Sequence, residues 1–365
     1  MGNTARKEWV DACKAIAIIS VVVGHLDFNY PEIRLLPLYT ILAWLWHVPV
    51  FFIIGGFFLK EEKLAQPVSF IKGKFKSLYL LILYLYIPAT LLHNVLLDIG
   101  FYNTSIEYGG KYVSYWRGAQ FVKGMAEAIF FAGREPILGA MWFVYVLFLA
   151  LCLISIVTCV SNLLFKGRFS KEVRFLSLFL GAVMSNILTN VLDFTIPRFN
   201  NVFTAAWLIY VGMLLIQKFK FTFESKFLFV VSVVTFYGFA VLTGDVHLNR
   251  NEYRDVVSLT VSSFSALYII AFISKKCHGR ILGVLSVIGQ DSFYIMGLHF
   301  VAFKFGSIIL NQFGYNKNIA VLNPNCNNII EYLYYTICGI GFPLLALFLF
   351  RRLKTSAQSF FVNKN

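Results

Sequence analysis

Residues 9–25, WVDACKAIAIISVVVGH, set an acid, a base and an imidazole in a largely apolar run: Asp11, Lys14 and His25. Read as a helix, Asp11 and Lys14 stand one turn apart and can pair on one face. His25 follows Lys14 by eleven residues, close to three turns, so it shares nearly the same face about 16 Å further along. A lysine at a bilayer centre costs about 2.5–3.5 kcal/mol, whereas near a helix end it reaches back to the interface. An interfacial Asp11–Lys14 ion pair thus accounts for those two residues as well as a functional role does. A histidine inside a span has to face protein or water, and its titration near neutrality makes it a natural proton acceptor. A hydrogen bond to a neighbouring helix is the plain alternative.

A second apolar run, AWLWHVPVFFIIGGFFL, carries His47. Pro49 interrupts local backbone hydrogen bonding, and Gly55 and Gly56 let another helix approach closely. As adjacent antiparallel spans, the two runs hold His25 and His47 at similar depth. That predicts a polar pocket open to one side of the membrane.

The elements that must position these residues follow from composition. Of 365 residues, 58% are hydrophobic and only 14% charged, and mean hydropathy is +0.71. A soluble chain carries about 25% charged residues, so too little polar surface is available here for a water-soluble particle. The composition predicts an all-α, polytopic integral membrane protein. About ten spans are expected, at 12–29, 38–59, 77–97, 137–163, 174–192, 201–217, 226–243, 256–274, 283–309 and 329–350. The segment 118–132 is too short to span and reads as an interfacial or re-entrant piece. No internal repeat, low-complexity tract or soluble domain interrupts the pattern, so 1–365 is expected to be one membrane-embedded domain.

Net charge is +14, and its placement excludes a nucleic-acid partner. The cations cluster between apolar runs instead of forming a phosphate-binding stripe with stacking platforms. One alternate set of loops holds most of them. The other set holds only Arg34, Lys111, Arg117, Lys123, Arg134, Arg198, Arg250, Arg254 and Lys317. The positive-inside rule puts the cation-rich loops and both termini in the cytoplasm, which requires an even span count. The six cysteines form no CxxC pair, and no histidine–carboxylate cluster has ligand spacing, so neither disulfides nor a metal are expected. A cleavable signal peptide is not expected either.

Residues 9–25 resemble the opening motif of the acyltransferase family 3 membrane proteins: an aspartate, an arginine or lysine, then GH after an aliphatic run. HVPVFFIIGGFF at 47–58 is similar to the family's second-helix motif, and MWFVYVLF at 141–148 to its tryptophan–phenylalanine motif. IGQDSFYIMGLH at 288–299 resembles its late helix ending in histidine. AAWLIYVGMLL at 205–215 and DVHLNRNEYRD at 245–255 are similar to segments of the fucose-4-O-acetylase-like branch. The resemblance covers 9–310, and the order and spacing of the motifs carry it.

What the resemblance implies is an O-acetyltransferase of a bacterial cytoplasmic (inner) membrane. Such proteins take acetyl from acetyl-CoA, or another acyl-CoA, as donor substrate, and no permanently bound cofactor is expected. The acceptor is a hydroxyl of a carbohydrate, a surface polysaccharide or its lipid-linked precursor. His25 matches the family's essential histidine and Lys14 its arginine-or-lysine position, with Asp11 beside it as a third catalytic candidate. His25 as general base would remove the hydroxyl proton. Lys14, Lys72, Lys74 and Lys76 are placed to hold CoA phosphates, although positive-inside topology alone explains the 72–76 cluster. Many members have an arginine-x-x-arginine element entering span three; here Lys74 and Ser77 stand there, with Lys76 as the displaced second cation.

His47, Trp142 and His299 are the expected substrate contacts, with packing as the alternative for each. Trp142 and Phe143 could equally be core or interface residues. Lys304 reads as snorkelling or salt-bridged. Arg134 and Glu135 read as a solvated outer loop, with acceptor contact the alternative. No role is expected for His93, His247 or His278. The rival functional class is a transporter or flippase of a glycolipid or small solute, since intramembrane histidines and lysines also suit proton coupling. No two-fold repeat or matched pair of broken helices supports it.

Overall fold

The computed structural model describes residues 7–31, 36–130, 135–166, 168–196 and 198–362. Arg6, Arg34, Arg134 and Lys364 lie outside them. The chain is all-α, as composition predicts, and the four strands among the described residues are two residues each.

The first helix, α1, is Glu8–Gly24. A π turn at Thr40–Trp44 leads into α2, His47–Gly56. Short α3 (Glu61–Leu64) and α4 (Pro67–Lys74) follow, and a second π turn joins α4 to α5 (Leu80–Leu91). Next come α6 (His93–Asp98), α7 (Ala119–Ile129) and, behind a 3-10 turn at Pro136–Met141, α8 (Trp142–Phe165). The remainder is α9 (Ser170–Asn190), α10 (Phe199–Gln217), α11 (Lys226–Thr243), α12 (Val256–Lys276), α13 (Gly279–Gln290), α14 (Ser292–Gln312) and α15 (Ile329–Val362).

Among the described residues, eight helical stretches are long and apolar enough to cross a membrane: Pro67–Leu91, Pro136–Phe165, Ser170–Asn190, Phe199–Gln217, Lys226–Thr243, Val256–Lys276, Ser292–Gln312 and Ile329–Ser356. They coincide with eight of the expected spans. The other two are shorter. α1 has 17 residues, and the second span is interrupted where Trp46 takes φ −142° between the π turn and α2. The expected span 283–309 is divided as well. α13 stops at Asp291, whose carboxylate accepts from Arg351 Nη1 at 3.0 Å and Nη2 at 2.5 Å. The short piece within 118–132 is the 11-residue helix α7, too short to span.

Two helices bury mainly small or polar residues and expose apolar ones. The buried residues of α11 are Ser232 and Ala240, while Phe227, Val230, Val234 and Leu242 are exposed. In α9, Ser185, Asn186 and Thr189 are buried, while Leu176, Leu180 and Met184 are exposed. Water would reverse that arrangement; hydrocarbon favours it. The chain is a multi-pass membrane protein.

Small residues set the closest helix approach. A Cβ on Gly56 would lie 1.9 Å from the Ile209 carbonyl oxygen, and one on Gly212 1.8 Å from that of Ile53. The two glycines therefore bring α2 and α10 into backbone contact.

The two loop sets separate to opposite ends. At one end, Thr40 Oγ1 donates to Asp245, Val246 N to the Trp44 carbonyl, and Tyr108 Oη to the Ala320 carbonyl. Asp27–Phe28 also pairs in parallel with Asn325–Cys326 there. At the other end, Arg174 meets Glu61 at 3.0 Å, Trp9 packs on Phe57 and Phe223, and Arg351 meets Asp291. The first helix begins and the last ends at this second end, as an even number of crossings requires.

Candidate active site

His25 is where α1 stops. Its backbone N–H still reaches the Val22 carbonyl, and its ring Nδ1 lies 2.8 Å from the Val21 carbonyl oxygen. A carbonyl only accepts, so Nδ1 carries the proton of the neutral ring and Nε2 keeps its lone pair. His299 on α14 repeats the arrangement, with Nδ1 3.0 Å from the Ile295 carbonyl oxygen. Its Nε2 is buried without a hydrogen-bond partner. His47 Nδ1 likewise donates to the Ala43 carbonyl.

These three histidines are brought together. The His25 and His299 rings are 5.0 Å apart between centroids, and Phe300 stands edge-on to His25 at 4.9 Å. Trp44 links His25, at 6.1 Å, to His47, at 5.8 Å. Of the three, His25 opens into a cavity of about 1110 Å³. Phe300, Gly139 and Trp142 line it with His25, and the outer-set loops supply His93, Trp116, Glu135, Arg198, Asn249 and Glu252. The Arg198 guanidinium lies 5.9 Å from the Trp142 ring centroid. The expected pocket thus exists at His25, while His47 is buried behind it and does not line it, and the cavity opens at the end carrying the cation-poor loops.

Its walls are fastened by buried polar bonds. Asn251 adopts φ +62°, and its Nδ2 donates to Ser185 Oγ at 2.9 Å while its Oδ1 accepts from Thr204 at 2.9 Å. The turn so anchored presents Asn249, Arg250 and Glu252 to the cavity. Lys304 is fully buried on α14. It neither snorkels nor forms a salt bridge, contrary to expectation: its Nζ donates to the carbonyls of Phe101, Ile319, Ala320 and Val321 at 2.6–3.3 Å. Those loops need a donor more than the lysine needs a carboxylate.

A family model described as an acyltransferase domain matches residues 7–352. The chain belongs to acyltransferase family 3. Comparison with curated proteins and with solved structures matches nothing. As a member of acyltransferase family 3 it is an enzyme, a membrane acyltransferase of a family that generally acetylates polysaccharides. A neutral imidazole with a free Nε2 beside a polar, aromatic-walled cavity suits the deprotonation of a hydroxyl.

The remaining candidates lie elsewhere. Lys14 Nζ meets Asp11 Oδ1 at 3.0 Å, with Asp11 buried and Lys14 partly exposed. This pair sits toward the opposite end of α1 and does not line the His25 cavity. Gly289 of α13 packs on the Asp11 backbone, where an added Cβ would come within 1.8 Å of its carbonyl oxygen. Lys72 and Lys76 are exposed. Lys74 is half-buried, with its Nζ 5.4 Å from the Phe70 ring centroid. None of the three lines the His25 cavity. Among the described residues no His, Cys, Asp and Glu group of three could hold a metal.

One pair in the wall was unforeseen. His93 is buried, with Nδ1 3.0 Å from Glu135 Oε1 and Nε2 3.0 Å from the Ser114 carbonyl oxygen. Its ring stacks on Trp116 at 3.7 Å. Glu135 also accepts from Tyr102 at 2.9 Å and is buried, not the solvated loop residue expected. Burial, then the neighbouring Glu135 carboxylate, push the Tyr102 phenol well above 10 and keep it a donor. Forty-two residues separate the pair, and no local spacing announces it. Arg134, its chain neighbour, lies outside the described residues.

Proposed function

We propose that this acyltransferase family 3 enzyme moves acetyl from acetyl-CoA to a hydroxyl of a surface polysaccharide, or of its lipid-linked precursor, in a bacterial cytoplasmic membrane. His25 Nε2 takes the hydroxyl proton as the oxygen attacks the thioester carbonyl carbon. The carbon–sulfur bond breaks, the CoA sulfur leaves, and the proton held by His25 is released to it. The observation that carries the reading is the Val21 carbonyl on His25 Nδ1. It fixes the tautomer whose other nitrogen is basic, at the only one of the three clustered histidines that lines the large cavity.

His299 and His47 pack the far side of this site, and Trp142 offers a flat face of the kind sugars stack on. The segment that resembles the fucose-4-O-acetylase-like branch at 245–255 supplies Asn249, Arg250 and Glu252 to the same cavity, which supports an acceptor role for it. Lys14 and the 72–76 lysines take the CoA phosphates at the opposite end. The eleven residues from Lys14 to His25, about 16 Å of helix, compare with an extended pantetheine arm.

Purified protein in nanodiscs, given radiolabelled acetyl-CoA and polysaccharide acceptors, tests this. Label transfer should fall about 10²–10⁴-fold in His25→Ala with thermal unfolding unchanged. Undiminished transfer by that variant removes His25 from the chemistry.

A further inference from the structure

Arg198 stands at the entry to α10 in the left-handed region, φ +70°, where a residue other than glycine is uncommon. It is half-buried and lines the His25 cavity. Its guanidinium lies over the face of Trp142. Among the described residues it makes no ion pair and no hydrogen bond. The cavity's own carboxylates do not serve it. Glu135 is committed to His93 and Tyr102, and neither Glu127 nor Glu252 pairs with Arg198. The nearby phenols of Tyr86 and Tyr145 are neutral and already donate to the Leu138 and Ala128 carbonyls.

A guanidinium half-removed from water inside a membrane protein is expensive to leave without an anion. Its planar fork matches two oxygens of one acid group. One side of the fork is covered by Trp142, which leaves the cavity as the place for that group. We propose that Arg198 and Trp142 form an anion subsite that takes a carboxylate or phosphate carried by the acceptor saccharide. The acceptor is then an acidic glycan, bound with its acid group on Arg198 and a hydroxyl toward His25. This rests on the reading of the cavity as the acceptor site. CoA phosphates are the other source of such an anion. The proposed donor entry lies at the Lys14 end of α1, away from Arg198, so the acceptor is the better source.

Binding to the full chain in nanodiscs decides it, read by fluorescence with three labelled probes: an oligogalacturonide, its neutral methyl ester, and a phosphorylated malto-oligosaccharide. At least one acidic probe should bind about tenfold to a hundredfold tighter than the ester. Arg198→Gln should bring that probe down to the ester's affinity while the ester holds, which a misfolded variant would not do. Arg198→Lys, with the charge but not the fork, should fall between. Absence of discrimination in the unaltered protein overturns the proposal, as does a preference that survives Arg198→Gln. It is equally overturned if Arg198→Gln weakens acetyl-CoA binding instead. Because binding is read without acyl transfer, failure of the transfer chemistry would remove the enzymatic role of His25 and leave this result standing.

Discussion

The histidines of the site share one device. His25, His47 and His299 each give Nδ1 to the carbonyl four residues earlier on their own chain. The backbone thus selects the tautomer without a carboxylate partner, and leaves each Nε2 as an acceptor. Lys304 shows the complementary economy, one ammonium serving four carbonyls of the outer loops. Lys304→Met should leave those carbonyls without a donor. An unsatisfied buried group costs about 1–3 kcal/mol, so thermal unfolding in detergent should drop by several degrees, and an unchanged midpoint would show the lysine dispensable. His25 was legible in the sequence because an ionisable group stands out against aliphatic neighbours. The His93–Glu135 pair was not, because its partners are joined only by tertiary folding. Lys304 was visible as a charge within a span and read as snorkelling or salt-bridged; the carbonyls that hold it come from loops whose course the sequence does not reveal.

Apolar run length identified the helices, and their interruptions escaped it. The break at Trp46 falls inside an apolar stretch, so hydropathy passes over it, while the one at Asp291 falls on the short polar sequence GQDS inside a longer apolar run. The Asp291 joint is held by Arg351, sixty positions later. A close helix approach was anticipated from Gly55 and Gly56 without its partner; Gly56 proves to be the one that touches backbone, that of α10. Its partner Gly212 sits in a segment first singled out for another reason. Gly212→Leu should force α2 and α10 apart, since a Cβ alone would stand 1.8 Å from the Ile53 carbonyl oxygen. Overpacking of this kind costs about 1–3 kcal/mol or more. The expected outcome is loss of folded protein on size-exclusion chromatography; a monodisperse, equally stable variant would contradict the packing.

Across the whole molecule, large apolar side chains stand exposed around an apolar core, and the cation-poor loops gather over the cavity end. Impermeant maleimide should therefore label Lys111→Cys in intact cells. Lys171→Cys, among the cation-rich loops, should label only after the membrane is opened. Reversed labelling would turn the orientation over. One small feature bears on how the molecule is made. Asp27–Phe28, two residues past the histidine that ends α1, lies in parallel against Asn325–Cys326. The earliest part of the chain to leave the ribosome thus waits for one of the last before its seat is complete. A polypeptide stopped just short of position 325 would hold most of the helices, yet would lack the clasp beside His25. Completion of that corner belongs to the last stretch of synthesis.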